Sequence, residues 1–456
     1  MITTVLAFIL TLGVLVVIHE YGHYRVAVAC GVKVLRFSVG FGRVLWRRQA
    51  SPDSTEFVVA ALPLGGYVRM LDEREGPVKP EDLHRAFNRK PLAQRALIVA
   101  AGPTANLLLA VLLYASANWI GIDEPKALLG APVAGSLAER AGVRAGDWAR
   151  ASSIDGDEWR ELRSMTDLRW AITQAVLRGE RLHLRLSDAA GRGERSIEIA
   201  LDSLGSKEID AQLMRRIGLG QPYSEPVMGE VKPGGPADKA GLRAGDRVLS
   251  VDGQAIADRS RLLELIRASA ASGEPRSMSW RVERGGQTLD LTVQPVVAFD
   301  AEKRVGRIEA FIGKPPQMVL VRYGPIEGLT QAVTRTWEMS ALTLKMLGKM
   351  IIGEASLRNL SGPLTIADYA GQSVRLGLAY YLGFLAVVSV SLGVLNLLPL
   401  PMLDGGHLMY YLFEAVTGRP VSEQWLERLQ RGGVAIMLLM MSLALYNDVA
   451  RLLGLH

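Results

Sequence analysis

The chain has 456 residues, 49% hydrophobic and 21% charged, a length for two to four domains and a composition that excludes disorder, which needs low hydrophobicity and high net charge. Its 52 basic and 46 acidic residues leave a net charge of +6 with no long basic run or aromatic-basic stripe, so the charge reads as membrane topology and no nucleic-acid partner is expected. The single cysteine, Cys30, excludes an intrachain disulfide and a cysteine zinc cluster.

Met1 to Ile18 carries no charged side chain, and His19, Glu20, His23 and Arg25 follow directly. A signal peptide would open with basic residues and close at a small-residue cleavage site. Neither is present, so an uncleaved span with ionisable residues at its far end is predicted. His19-Glu20-Tyr21-Gly22-His23 has the form His-Glu-x-x-His. On a 3.6-residue helix positions 19 and 23 share a face, so two imidazoles can hold one zinc. Glu20 stands one step round, within reach of a proton on an attacking water. The bland alternative is an interfacial histidine cluster, yet ionisable groups at membrane depth are costly and functional by default.

Arg95 and Asp123 bracket a second uncharged run, Ala96 to Ile122. Eleven lysines and arginines from Lys33 to Lys90 place the loop before it in the cytoplasm by the positive-inside rule. The N-terminus and the segment from about Asp123 to Val374 are then outside, which in a bacterium is the periplasm. Within the cytoplasmic loop, Arg36 to Trp46 alternates in part and pairs with Glu56 to Pro63 as a predicted hairpin.

The outer segment repeats itself. Ala-Gly-x-Arg-Ala-Gly-Asp ends at Asp147 and again at Asp246, 99 residues on, and Asp-Gly pairs follow at 155–156 and 252–253. Each half then shows a helix and alternating runs, such as Leu182 to Leu186 and Leu289 to Val293. This resembles a tandem pair of PDZ domains, a fold that takes an extended peptide or its C-terminal carboxylate along a sheet edge. The first copy departs from the pattern: two more residues separate its Gly-Asp from its Asp-Gly, and Trp148-Ala-Arg-Ala-Ser-Ser lacks the apolar alternation of Arg247-Val-Leu-Ser-Val. The pair recognises or excludes part of a substrate, or serves as a spacer.

From Ile326 to Ile351 apolar residues recur at i, i+3/4, which predicts an amphipathic helix resting on the outer leaflet or packed on the second repeat. A third uncharged run, Leu376 to Leu403, ends in Asn396-Leu-Leu-Pro-Leu-Pro-Met-Leu-Asp404-Gly-Gly. Pro399 and Pro401 break a regular helix, and broken backbone at membrane depth needs protein or a water-filled cavity around it. Asp404, on a different helix from the histidines, supplies the third ligand that zinc requires. A boundary helix cap is its bland reading, and His407 is a competing ligand beyond a Gly-Gly turn. Gly432 to Asn447 is a short fourth span if Arg428, Arg431 and Arg451 snorkel.

His-Glu-x-x-His on the first span with Asn-x-x-Pro-x-Pro-x-Leu-Asp-Gly on the third resembles the site-2 protease family of intramembrane zinc proteases. Gly65-Gly-Tyr-Val-Arg-Met-Leu-Asp-Glu73 and Asn359-Leu-Ser-Gly-Pro363 extend the resemblance over nearly the whole chain. It implies a zinc endopeptidase of the bacterial inner membrane that cuts anti-sigma factors after a first external cut, and remnant signal peptides. It also implies that Asn396 contacts substrate, where a helix cap is the plainer role. The hairpin would dip into the bilayer and add substrate as an edge strand, or else lie peripherally. The fold expected is a multi-pass α-helical membrane protein with four spans and a PDZ pair between spans two and three. Its expected parts are residues 1–122 (two spans and the hairpin loop), 123–212 and 213–313 (the PDZ pair), 314–374 (a membrane-surface helix) and 375–456 (two spans). In this reading His19, His23 and Asp404 hold zinc and Glu20 is the catalytic base. The rival class is a non-catalytic membrane-anchored PDZ scaffold.

Overall fold

A computed structural model describes residues 2–204, 211–219, 222–270, 273–300, 303–352 and 362–452, so Asn359 to Ser361 of the last resemblance motif lie outside the described residues. The chain divides into two compact units, Met1–Ile122 with Arg322–His456, and Asp123–Val321. In chain order, α1 (Ile2–Ala29), β1 (Val34–Arg48), β2 (Glu56–Met70) and α2 (Leu92–Ile120) come first. β3 (Ile122–Pro125), α3 (Leu137–Arg140), β4 (Trp148–Ser153), β5 (Arg160–Glu161), α4 (Met165–Arg178), β6 (Leu182–Ser187), β7 (Arg195–Ile199) and α5 (Ala211–Ile217) follow. Then come β8 (Met228–Val231), α6 (Pro236–Lys239), β9 (Arg247–Val251), β10 (Gln254–Ala255), α7 (Arg259–Ala268), β11 (Met278–Arg284) and β12 (Gln287–Val293). β13 (Val296–Asp300), β14 (Lys303–Arg307), β15 (Ala310–Ile312) and β16 (Met318–Val321) precede α8 (Pro325–Ile351), α9 (Pro363–Leu376), α10 (Leu378–Asn396), α11 (Asp404–Thr417) and α12 (Glu423–Leu452).

Among the described residues four helices are long and apolar enough to cross a membrane: α1, α2, α10 and residues 424–450 of α12. The third uncharged run breaks at its prolines as expected, with α10 ending at Asn396 before segment 397–403, and Gly377 at φ 120° separates α10 from α9. The fourth is longer than its uncharged stretch, since arginines are good helix formers and α12 runs through Arg428 and Arg431. Buried polar bonds tie these helices together. Tyr381 of α10 donates to Ala7 O of α1 at 3.1 Å, with Thr11 Oγ1 3.0 Å away. Asp448 of α12 accepts the backbone N–H groups of Gly362 and Leu364, each at 2.9 Å, and so caps the N-terminus of α9.

α8 is the expected amphipathic helix, and it packs against α2 and α10. Trp119 Nε1 donates to Pro325 O and Asn118 Nδ2 to Gly328 O, and fourteen residues after Pro325, Met339 packs against the buried cluster of Ala110 on α2 and Ala386, Val390 and Val394 on α10. α8 therefore runs back alongside α2, and Ile326, Val333, Trp337 and Leu344 stay exposed on its other side.

The predicted hairpin is more folded than two strands. Phe37 faces both Val68 and Phe57, Ser38 both Tyr67 and Val58, and Val39 both Gly66 and Val59. Val59 also faces Trp46, and Phe57 also faces Arg48. The rows thus run 66–69, 36–39, 56–59 and 46–48. Gly40 at φ 89°, Gly42 at φ 85° and Gly65 at φ 148° allow the reversals. Phe41, Leu45, Trp46 and Leu62 are exposed on the far part of this sheet.

In the second unit the two repeat halves have the same strand order, β5-β4-β6-β7 and β10-β9-β11-β12, each over its own apolar core. Strand β4 forms despite its weak pattern because the small residues Ala149, Ser152 and Ser153 fill its buried positions. The first copy also has a longer connection between β4 and β5 than the second has between β9 and β10, a turn in which Asp155 accepts the N–H groups of Asp157 and Glu158. The shared aspartates explain the repeat motif. Asp147 Oδ2 accepts from Arg144 N at 2.7 Å and Asp246 Oδ2 from Arg243 N at 2.8 Å. Each is then clamped by a guanidinium, Arg195 on Asp147 and Arg284 on Asp246, at 2.6 Å. Arg195 comes from β7 and Arg284 from β11, opposite arms of equivalent hairpins.

Candidate metal centre

His19 and His23 lie one turn apart on α1, and Asp404 is the first residue of α11. The three side chains converge, with one ligand atom from each and all three atoms within 4.8 Å of one another. His19 Nε2 lies 3.2 Å and His23 Nε2 3.5 Å from Asp404 Oδ2, and the two Nε2 atoms are 3.2 Å apart. The side chains are only 12–18% exposed.

The rest of the cluster is set by α2. His23 Nδ1 lies 2.8 Å from the carbonyl oxygen of Ile98. A carbonyl only accepts, so Nδ1 carries the proton and Nε2 presents its lone pair. His19 Nδ1 lies 3.2 Å from the side-chain amide of fully buried Asn106, whose Oδ1 has no hydrogen-bond partner. Amide nitrogen and oxygen are interchangeable on geometry, and turning the amide sets Oδ1 against an Nδ1–H. Both histidines then aim lone pairs at Asp404 Oδ2, itself without a hydrogen-bond donor. Three electron pairs facing one another at this range repel unless a cation sits among them, and two imidazoles and a carboxylate form a donor set that suits zinc.

Helix packing brings the groups this close. A Cβ on Gly22 would meet Ala101 O at 2.5 Å, and one on Gly102 would meet His23 Nε2 at 2.2 Å. Both glycines are needed for α1 to approach α2. On the other side of α1, a Cβ on Gly66 would lie 3.2 Å from Glu20 Cγ, so the outer row of the β1–β2 sheet runs past the proposed base. At the N-terminus of α11, Cβ atoms on Gly405 and Gly406 would come within 2.3 Å of the carbonyl oxygens of Leu398 and Leu400.

Asn396 ends α10, eight residues before Asp404, and is half-buried. It is not among the converging ligand atoms. His407 is also outside that set and packs edge-on against Tyr410 at 5.9 Å. Sequence reasoning missed Asn106, Ile98 O and Gly102. The signal for Asn106 was available, since it is an amide in the middle of an uncharged run.

The model of peptidase family M50 matches residues 7–440. A Ralstonia nicotianae protein named as a zinc metalloprotease is 43% identical over 464 residues, covering 99% of each chain. The regulator of sigma-E protease RseP of Escherichia coli is 40% identical over 461 residues, covering 98% of each. Among solved structures, the PDZ domain of an SdrC-like protein from Listeria monocytogenes covers 20% of this chain and aligns over 92% of its own, at 19% identity and a TM-score of 0.17, too low to fix the fold of the insert.

Proposed function

The chain belongs to peptidase family M50 and is a zinc metalloprotease, and from that premise we propose that it cuts peptide bonds within membrane-spanning segments of single-span proteins. The observation that carries this reading is the convergence of His19, His23 and Asp404 at α1, a helix long and apolar enough to cross a bilayer. In this reading α1, α2, α10 and α12 span the bacterial inner membrane, with the β1–β2 sheet on the cytoplasmic side and the insert in the periplasm. The exposed Phe41, Leu45, Trp46 and Leu62 suit a sheet that dips into lipid.

His19, His23 and Asp404 would hold zinc, with Ile98 O and Asn106 fixing the ring orientations. When bound, zinc supplies a Lewis acid that polarises the scissile carbonyl and lowers the pKa of a water. Glu20 takes the proton from the attacking water and delivers it to the leaving amine. A transmembrane substrate is a helix whose backbone is already hydrogen-bonded, so it must unwind to be cut and then needs new partners. The row 66–69 passes Glu20 and has one strand partner, row 36–39, among the described residues. It is placed to receive the unwound segment as an added strand. Asn396 would contact the substrate backbone.

The two halves of the insert are read as tandem PDZ domains that act as a size filter, admitting substrates already trimmed outside. The family resemblance drawn from the sequence motifs points to an anti-sigma factor and signal-peptide remnants as those substrates, and the relative named as a regulator of sigma-E protease supports the first. The test is incubation of purified full-length enzyme with a truncated single-span substrate, with zinc content measured in parallel. Cleavage within the span and about one zinc per chain, the number a three-ligand catalytic site takes, are expected. Intact substrate beside a zinc-loaded enzyme would exclude the intramembrane reading.

A further inference from the structure

Helix α11 carries Asp404 at its first residue and Glu414 near its last turn. Arg95, in the first turn of α2, grips Glu414 with both ends of its fork. Nη2 donates to Oε1 at 2.6 Å and Nη1 to Oε2 at 3.2 Å. Its Nε donates to Lys90 O, and the guanidinium lies 5.0 Å from the centre of the Tyr411 ring. The two side chains are 14% and 21% exposed. The α11 end of the site lacks any equivalent bond: Leu403 offers no side-chain cap, and Asp404 Oδ2 has no donor. Gly405 and Gly406 fix how closely α11 approaches residues 398–400, and a contact between small residues and backbone does little to fix the tilt.

We propose that Arg95 and Glu414 form a positioning clamp that sets where α11 places Asp404 relative to the two histidines. The inference rests on the metal reading given above. Arg95 stands three residues before Ile98 and eleven before Asn106 on one helix. A single rigid element, α2, therefore touches all three ligands: His23 through a carbonyl, His19 through an amide, and Asp404 through α11. From Glu414 to Asp404 is ten residues, about 15 Å of helix. A tilt of about 5° at the far end of that lever moves the carboxylate by about 1.3 Å, which is large against the tolerance of about 0.5 Å that a preorganised site allows. The bidentate fork suits the role, since two parallel bonds resist rotation where one would swivel.

The test measures zinc affinity of the purified full chain by competition with a chromophoric chelator, alongside thermal unfolding. Glu414→Ala and Arg95→Ala should each weaken zinc binding by about 10-fold or more, the usual scale for an outer-shell partner. The exchanged pair, Arg95→Glu with Glu414→Arg, should recover most of that loss. Glu427→Gln, which breaks an exposed pair with Arg431 within α12, should leave affinity unchanged. Should Glu414→Ala fail to fold, Glu414→Gln keeps its shape with one weaker bond and should still weaken binding more than threefold. Wild-type affinity in every folded variant, even with lowered thermal stability, makes the pair a brace only and overturns the proposal. A wild-type chain that binds no zinc would instead overturn the metal reading itself.

Discussion

Gly102 and His23 stand so close that no side chain fits between them: a Cβ on Gly102 would lie 2.2 Å from His23 Nε2 and 2.6 Å from Cε1. The neighbour is a ligand atom rather than a flexible chain end, so Gly102→Ala must displace the imidazole. We expect at least a 10-fold loss of zinc affinity and a matching loss of cleavage. Gly13→Ala, within α1 but with nothing within 4 Å of its Cβ, should behave as wild type. Equal zinc binding by both variants would show that His23 is not a ligand.

Glu20→Gln separates metal binding from proton transfer. Glu20 is outside the converging ligand set, so the variant should keep zinc. The amide cannot accept the proton, and cleavage should fall by about 10²–10⁴-fold or more. Substantial turnover by a zinc-loaded Glu20→Gln enzyme would remove Glu20 from the mechanism.

The aspartate clamps of the insert make a stability prediction. Asp246 is fully buried. Burial pushes its carboxyl up, but the Arg284 guanidinium and the Arg243 N–H outweigh this and hold it below the usual carboxylate range. Arg284→Ala leaves that charge buried and unpaired, at a cost of about 3–5 kcal/mol. Arg431→Ala, whose partner Glu427 is largely exposed, should cost under about 0.5 kcal/mol. The sign of the pH dependence follows from the lowered pKa. The contribution is complete above the unfolded carboxyl's pKa and fades as pH falls through the folded one. The gap between wild type and Arg284→Ala in thermal unfolding should therefore narrow in acid.

Much of this arrangement was legible in the sequence. His19 and His23 are fixed on one face by helical period alone, and Asp404 stood out as an acid closing an apolar run beside two prolines. The 99-residue repeat gave the matched halves of the insert. What the sequence concealed depends on packing. Arg195 and Arg284 do the same work from different strands, so no offset relates them. Ile98 acts through its carbonyl, to which side-chain identity is blind. The doubling back of β1 at Gly40 and Gly42 looks from sequence like simple alternation, since a reversal keeps each short row β-like. The pairing of Arg95 with Glu414 spans 319 residues, far beyond any local pattern.

Orientation can be read by chemical labelling. In a Cys30→Ala background, a thiol at the exposed Gln287 should react with an impermeant reagent once the outer barrier is opened. A thiol at the exposed Ser51, in the β1–β2 connection, should react only after lysis. The reverse pattern would invert the proposed topology.

The filter can be tested by removal, because the insert begins and ends at one place. β3 pairs with β16, and Lys126 N donates to Gln317 O at 2.8 Å. Residues 127–316 can therefore be replaced by a short Gly/Ser turn without stretching the chain. The bonds from Trp119 to Pro325 and from Asn118 to Gly328 lie outside the deletion, so the anchorage of α8 on α2 is kept. If the insert excludes bulk, the shortened enzyme should cut untrimmed substrate that the full chain refuses, and should still cut trimmed substrate. Capture of a new C-terminal carboxylate leads to a different outcome, in which trimmed substrate is no longer cut although zinc remains bound. Zinc content must be measured beside cleavage, since only a zinc-loaded deletion variant distinguishes lost capture from a damaged site. Retained zinc with loss of all cleavage would reject the filter and favour capture.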